Sequence, residues 1–161
     1  MSHIRPDMRV SVTRVGQGLH FRGTGPHGQT VEVDSVDDAP ATAKGVSPLT
    51  LLPVALGTCS AIDVVSILEK GRYAIDRLDV DVTAERDGGR PISKITAIHA
   101  HFDLETDAPP DRVDRAVRLS FSTYCTVACL LSAAVDISAS FAINGERVEV
   151  PDVMNVMSRQ E

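Results

Sequence analysis

The feature that most constrains this fold is a long run of apolar and small residues, SPLTLLPVALGTCSAIDVVSILEKG, from Ser47 to Gly71. Its end signals predict one helix, with Ser47 as N-cap, Pro48 in the first turn and Gly71 behind the last turn. Apolar or small residues fall on nearly every side of it, which is typical of a helix buried in the centre of a fold. We therefore expect the other elements to pack around this helix.

Segments that alternate apolar and polar residues lie on both sides of the run. Strands are predicted before it at three places: residues 8–13, 19–21 and 31–33. After it we predict a strand pair, two helices, the second capped by Ser122 or Thr123, and a long strand that turns back at Asn144-Gly145. The pattern indicates an α+β fold of antiparallel sheets around a buried central helix, in a single domain over residues 1–161.

Composition excludes several classes of function. The formal net charge is −6 and the basic residues are scattered, which argues against nucleic acid as a partner. The N-terminus shows no secretory pattern, and an odd count of three cysteines fits a reducing cytoplasm. We expect a cytoplasmic protein with no membrane partner, because polar residues interrupt the longest apolar stretch: Thr58, Ser60, Asp63 and Ser66.

Two cysteines point to thiol chemistry. Cys59 lies inside the long helix, and Cys125 opens a second apolar helical run. A thiol on each of two apolar helices in an intracellular protein indicates redox chemistry more than a disulfide framework. Cys129, one turn after Cys125, is predicted to be an ordinary buried hydrophobe.

The segments SPLTLLPVALGTC, DVVSIL and YCTV, in this order of elements, resemble the OsmC/Ohr family of thiol-dependent peroxidases, in its OsmC-like, YhfA-type branch. The resemblance implies an OsmC-like fold and an interwoven homodimer with sites at the subunit interface. It implies that Cys59 attacks the O–O bond of an organic hydroperoxide and that Cys125 resolves the sulfenic acid. A dithiol reductant such as a lipoyl group would restore the pair, and no bound cofactor is expected.

The resemblance also implies an activating arginine, which by its spacing to the VEVD segment corresponds to Arg22. The family's carboxylate partner would lie at Leu49 or Thr50, and neither is acidic, so Thr50 is at most a supporting residue. Asp63 lies one helical turn beyond Cys59. It could hold Arg22, belong to a buried polar network, or repel a thiolate and raise the pKa of the thiol.

Two other functions remain open from the sequence. The chain could be a non-enzymatic binding module for a small apolar ligand, with catalysis lost and a cavity lined by Leu49, Leu52, Leu56 and the cysteines. It could also be a redox sensor whose disulfide is the output. A metal site is not expected, because strand alternation already explains the polar set His99, His101 and Asp103.

Overall fold

The computed structural model describes residues 9–35, 42–89, 91–151 and 153. The chain forms two compact units, Met1–Leu52 and Pro53–Glu161. The single domain remains a prediction, and each unit is described by itself.

The first unit contains a three-stranded antiparallel sheet in the order β1-β2-β3. Its strands are β1 Ser11–Arg14, β2 Phe21–Thr24 and β3 Thr30–Val33. The three strands were predicted from alternation, although Met8 lies outside the described residues. Gly28, in the turn between β2 and β3, has a φ of 84°, which a residue without Cβ adopts at little cost.

The long helix α1 spans Leu51–Lys70 and so begins later than predicted. Ser47 precedes a turn that leads into α1, and its Oγ accepts a hydrogen bond from the Thr50 N–H at 3.2 Å, the bond that an N-cap side chain makes. Pro53 falls in the first turn of α1, where a helix needs no backbone N–H from that residue.

One face of α1 is buried within the chain. Gly57, Ser60 and Val64 lie on it, whereas Val54 is 50% and Ile62 is 60% exposed. The complete burial predicted from the sequence is therefore not confirmed by the single chain. With a mean hydropathy of 2.0, α1 is long and apolar enough to span a membrane by length and composition alone, a test that core helices of soluble proteins also pass.

The second unit contains a four-stranded sheet in the order β4-β5-β6-β7. Its strands are β4 Ile75–Arg86, β5 Ile95–Thr106, β6 Asp136–Ile143 and β7 Glu146–Val150. The β4–β5 and β6–β7 pairs are antiparallel, but β5 and β6 are parallel. The prediction of antiparallel sheets was wrong at this pair, because the helices between β5 and β6 form the crossover that parallel strands require.

The crossover consists of α2 Pro110–Leu119, a π-helical segment Ser120–Tyr124 and α3 Thr126–Leu131. The crossover and the buried side of α1 pack on the same face of the sheet. On this face the rings of Phe102 and Phe121 meet edge to face, with their centroids 6.1 Å apart. The architecture is thus mixed α+β, as predicted. The largest fully buried side chains of the core include Phe102, Phe121, Phe141, Leu56, Leu68, Ile98 and Leu104.

Candidate thiol site

Helix α1 places Cys59 and Asp63 one turn apart on the same face, and both are half-buried. Two small residues near Cys59 are buried on α1. Gly57 faces Val82 of β4, and a Cβ at position 57 would lie 2.7 Å from the Val82 Cγ2. Ser60 is fully buried and satisfies its hydroxyl by donating to the Leu56 carbonyl at 2.8 Å.

The π-helical segment places Cys125. The Cys125 N–H donates to the Ser120 carbonyl at 2.8 Å, five residues back, and this bond ends the segment. Cys125 is itself the N-cap of α3, and its Sγ accepts a hydrogen bond from the Ala128 N–H at 3.4 Å. The predicted cap at Ser122 or Thr123 was wrong, because both residues belong to the π-helical segment.

The fold brings three chemically active side chains together. The Sγ of Cys59, the Sγ of Cys125 and a carboxylate oxygen of Asp63 all lie within 4.8 Å of one another. Both cysteines are free thiols, and a disulfide bond of about 2.05 Å would need the two sulfurs to move closer. The arrangement can support thiol–disulfide chemistry between residues far apart in the sequence.

The electrostatics of the site keep Cys125 protonated. Only 2% of Cys125 is exposed, and this desolvation is the main cause that raises its pKa from 9.0 to about 12. The Ala128 N–H lowers the pKa, whereas Cys59 and the charge of Asp63 raise it further. A helix N-terminus favours a thiolate, but at Cys125 the cost of burying a charge is larger than that effect.

Ser120 joins the site as a residue that sequence reasoning missed. It is fully buried, and its Oγ donates to Oδ2 of Asp63 at 2.9 Å. Asp63 thus belongs to a partly buried polar contact, which corresponds to one of the three roles left open. A signal was available, because a serine on the apolar face of a helix needs a hydrogen-bond partner.

Arg22 lies on β2 in the first unit, where its Nε donates to Oε1 of Glu32 at 2.5 Å. His20 contacts the other oxygen of the same carboxylate at 2.6 Å. The bond from Arg22 is the main cause that lowers the pKa of Glu32. Within the first unit Arg22 donates to Glu32, and within the second unit Asp63 accepts from Ser120.

Glu32 was also missed by the sequence reasoning, although the hairpin predicts it. Residues 22 and 32 are register partners across β2 and β3, and counting outward from the turn pairs them. Thr50 lies in the same unit and shares a hydrogen bond of 2.8 Å between its Oγ1 and the Ser47 Oγ. The roles of Arg22 and Thr50 in a site with Cys59 remain predictions.

The structure also describes four other residues that the sequence singled out. His99 and His101 both contact the Ser140 Oγ, at 2.9 Å and 2.7 Å, and Asp103 pairs with Arg77 at 3.1 Å. Cys129 is exposed, so its prediction as a buried hydrophobe was wrong. It lies only one turn after Cys125, but α3 buries Ala128 and leaves its neighbour Cys129 facing outward.

The fold and the site define a mixed α+β protein in which two thiols meet beside a carboxylate. Residues 41–140 match the family described as OsmC-like protein. Protein YhfA of Escherichia coli (strain K12) is 40% identical over 130 residues, which cover 79% of this chain and 92% of the relative. The chain therefore belongs to the OsmC-like protein family, which confirms the resemblance seen in its motifs.

Solved structures share the fold. An OsmC-like protein from Mycoplasma pneumoniae has a TM-score of 0.73 at 14% identity, with 87% of this chain and 99% of that chain covered. The organic hydroperoxide resistance protein OhrB of Bacillus subtilis has a TM-score of 0.60 at 16% identity, with 83% and 96% covered. At these identities the likeness shows the fold alone.

Proposed function

We propose that this protein is a thiol-dependent peroxidase that reduces organic hydroperoxides through Cys59 and Cys125. The observation that carries the proposal is the convergence of both sulfurs and the Asp63 carboxylate within 4.8 Å. Family membership and an organic hydroperoxide resistance protein among the structural neighbours support the choice of substrate class.

The proposed reaction has two halves. The Cys59 thiolate attacks one oxygen of the O–O bond, the bond breaks, and the other oxygen leaves as an alcohol after taking a proton. Cys59 is then a sulfenic acid. The Cys125 sulfur attacks it, water leaves, and a Cys59–Cys125 disulfide forms. An external dithiol, such as a dihydrolipoyl group, reduces the disulfide by two thiol exchanges and is itself oxidised.

The two cysteines differ in environment as this sequence of steps requires. Cys59 is half-buried, whereas Cys125 is buried and holds its proton. The more accessible thiol is suited to meet the substrate, and the buried thiol is suited to react only with a sulfur already in the site. Asp63 is placed to accept the Cys125 proton during the second attack, because Ser120 holds its carboxylate beside both sulfurs.

Arg22 is the proposed activating cation, oriented by Glu32. A guanidinium near a thiol stabilises the thiolate and can hydrogen-bond peroxide oxygens. We further propose that two copies of the chain form a homodimer and that the protein acts in the cytoplasm. Apolar side chains exposed on the first unit support such a partner, among them Val10 at 65% and Val12 at 69%.

The test is turnover of cumene hydroperoxide with a dithiol reductant. Wild-type protein should consume the hydroperoxide, Cys59→Ser should be inactive, and Cys129→Ser should retain nearly full activity. Cys129→Ser is the matched control, because it removes an exposed thiol one turn from Cys125. Equal loss in both variants would show that the pair is wrongly assigned, and an inactive wild type would reject the peroxidase.

A non-enzymatic module for a small apolar ligand is the second candidate function. A cavity of about 710 Å³ on the first unit favours it, with lining side chains that include Val12, Phe21, Val31, Val33 and Leu51. These differ from the predicted lining, Leu49, Leu52 and Leu56. Stoichiometric binding of an apolar probe without hydroperoxide turnover would favour this function. A diamide-driven disulfide without turnover would instead favour the redox sensor.

A further inference from the structure

The donor atoms of the thiol site also suit a metal ion. Among the described residues, the two sulfurs and one carboxylate oxygen of Cys59, Cys125 and Asp63 form the group of three whose ligand atoms converge within 4.8 Å. They come from two separate elements, α1 and the residue that caps α3. Zinc is commonly bound by cysteine thiolates and by carboxylates, and zinc sites with an open position have three protein ligands.

We propose that Cys59, Asp63 and Cys125 bind one zinc ion. In such a site zinc lies about 2.3 Å from sulfur and about 2.0–2.2 Å from a carboxylate oxygen. Two sulfurs on a common tetrahedral zinc are then about 3.8 Å apart. The observed spread of up to 4.8 Å therefore requires only a short inward movement of the side chains.

Ser120 strengthens the case for a built site. Metal-binding carboxylates are commonly held by hydrogen bonds from surrounding residues, which orient the ligand before the ion arrives. The fully buried Ser120 donates to Oδ2 of Asp63, and a carboxylate retains further lone pairs for a metal. Asp63 is therefore already held in place beside both sulfurs.

Three protein ligands leave a fourth tetrahedral position for water or another small ligand. On binding, each thiol releases its proton to the solvent and no electron is transferred. Hard cations such as Mg²⁺ prefer oxygen ligands and are expected to bind poorly.

A sulfur in a disulfide is a poor ligand, so zinc binding and the Cys59–Cys125 disulfide exclude each other. This inference rests on ligand geometry and does not depend on peroxidase activity.

The test uses the full-length, reduced, metal-free protein, titrated with zinc chloride against a chromophoric chelator. Wild-type protein should bind one zinc per chain, and magnesium chloride should not compete. Cys59→Ser, Cys125→Ser and Asp63→Asn should lose the stoichiometric binding, whereas Cys129→Ser should keep it. The Ser120→Ala variant should bind zinc about tenfold more weakly or worse, because the Asp63 carboxylate is no longer held. Co²⁺ in place of zinc should give sulfur-to-metal charge-transfer absorption.

Oxidised wild-type protein provides a measurement that needs no variant. Treatment with diamide should abolish zinc binding, and reduction should restore it. Failure of the reduced wild type to bind zinc would overturn the proposal, as would binding that survives in folded Cys59→Ser or Cys125→Ser, checked by circular dichroism. Zinc binding without hydroperoxide turnover would support this site and reject only the peroxidase.

Discussion

Ser120 donates its hydroxyl hydrogen to Oδ2 of Asp63 at 2.9 Å, and this bond joins helix α1 to the π-helical segment that ends at Cys125. Asp63 lies one turn after Cys59, so the bond spans the two elements that carry the thiols. π-helical turns are rare in proteins, and those that do occur often lie at functional sites. The distance between the two sulfurs therefore depends on a local irregularity of the helix and on one hydrogen bond.

Ser120→Ala is expected to slow formation of the Cys59–Cys125 disulfide by diamide and to lower the free energy of unfolding by about 1–3 kcal/mol. The reason is that a hydrogen bond to a charged group is lost at a buried position. Alkylation of the remaining thiols followed by mass spectrometry measures the rate, and urea unfolding measures the stability. Ser122→Ala is the control, because its hydroxyl contacts Thr123 in the same segment. Equal effects of the two substitutions would contradict a specific role for Ser120.

The raised pKa of Cys125 predicts a stability change in alkaline solution. The folded protein keeps this proton until about pH 12, whereas the unfolded chain loses it near pH 9.0. The unfolded state binds fewer protons between these values, so the free energy of unfolding falls as pH rises, by up to about 1.4 kcal/mol per pH unit. Cys125→Ala should lack this part of the slope. Parallel slopes for wild type and Cys125→Ala between pH 8 and 10.5 would show that the thiol is not held protonated.

Arg22→Ala is expected to shift the alkylation-rate profile of Cys59 to higher pH, because a guanidinium stabilises a thiolate. Glu32→Gln should produce a smaller shift, since it frees the arginine from its partner without removing the positive charge. Arg14→Ala is the matched control, as Arg14 lies on the neighbouring strand and donates to the Gly18 carbonyl. An unchanged profile in Arg22→Ala would reject Arg22 as the activating cation.

Gly57→Ala is expected to destabilise the fold although alanine is the better helix former. The new Cβ would lie 2.7 Å from the Val82 Cγ2, and overpacking of this kind costs about 1–3 kcal/mol. The gain in helix propensity offsets about 1 kcal/mol of that cost. Chemical denaturation of single and double variants measures the balance. In a Val82→Ala background the same substitution should be neutral or stabilising, and destabilisation there would show that Val82 is not the obstacle.

Much of the second unit could be predicted from local patterns. The alternation of Ile98, Ala100, Phe102 and Leu104 identified β5 and its buried face, and all four are at most 1% exposed. The Asn144-Gly145 turn was confirmed, with positive φ at both residues as a type I′ hairpin requires. Periodicity could not predict the parallel pairing of β5 and β6, because it carries no information about strand direction.

The sequence alone determined the presence of α1, the two thiols and the family motifs, because helix periodicity, residue identity and spacing are local properties of a chain. Only the tertiary structure decided that Cys59, Asp63 and Cys125 converge, that Ser120 holds Asp63, and that Glu32 holds Arg22. It also decided the raised pKa of Cys125, since desolvation depends on which atoms surround a thiol. Contacts and burial of this kind arise when distant segments pack together.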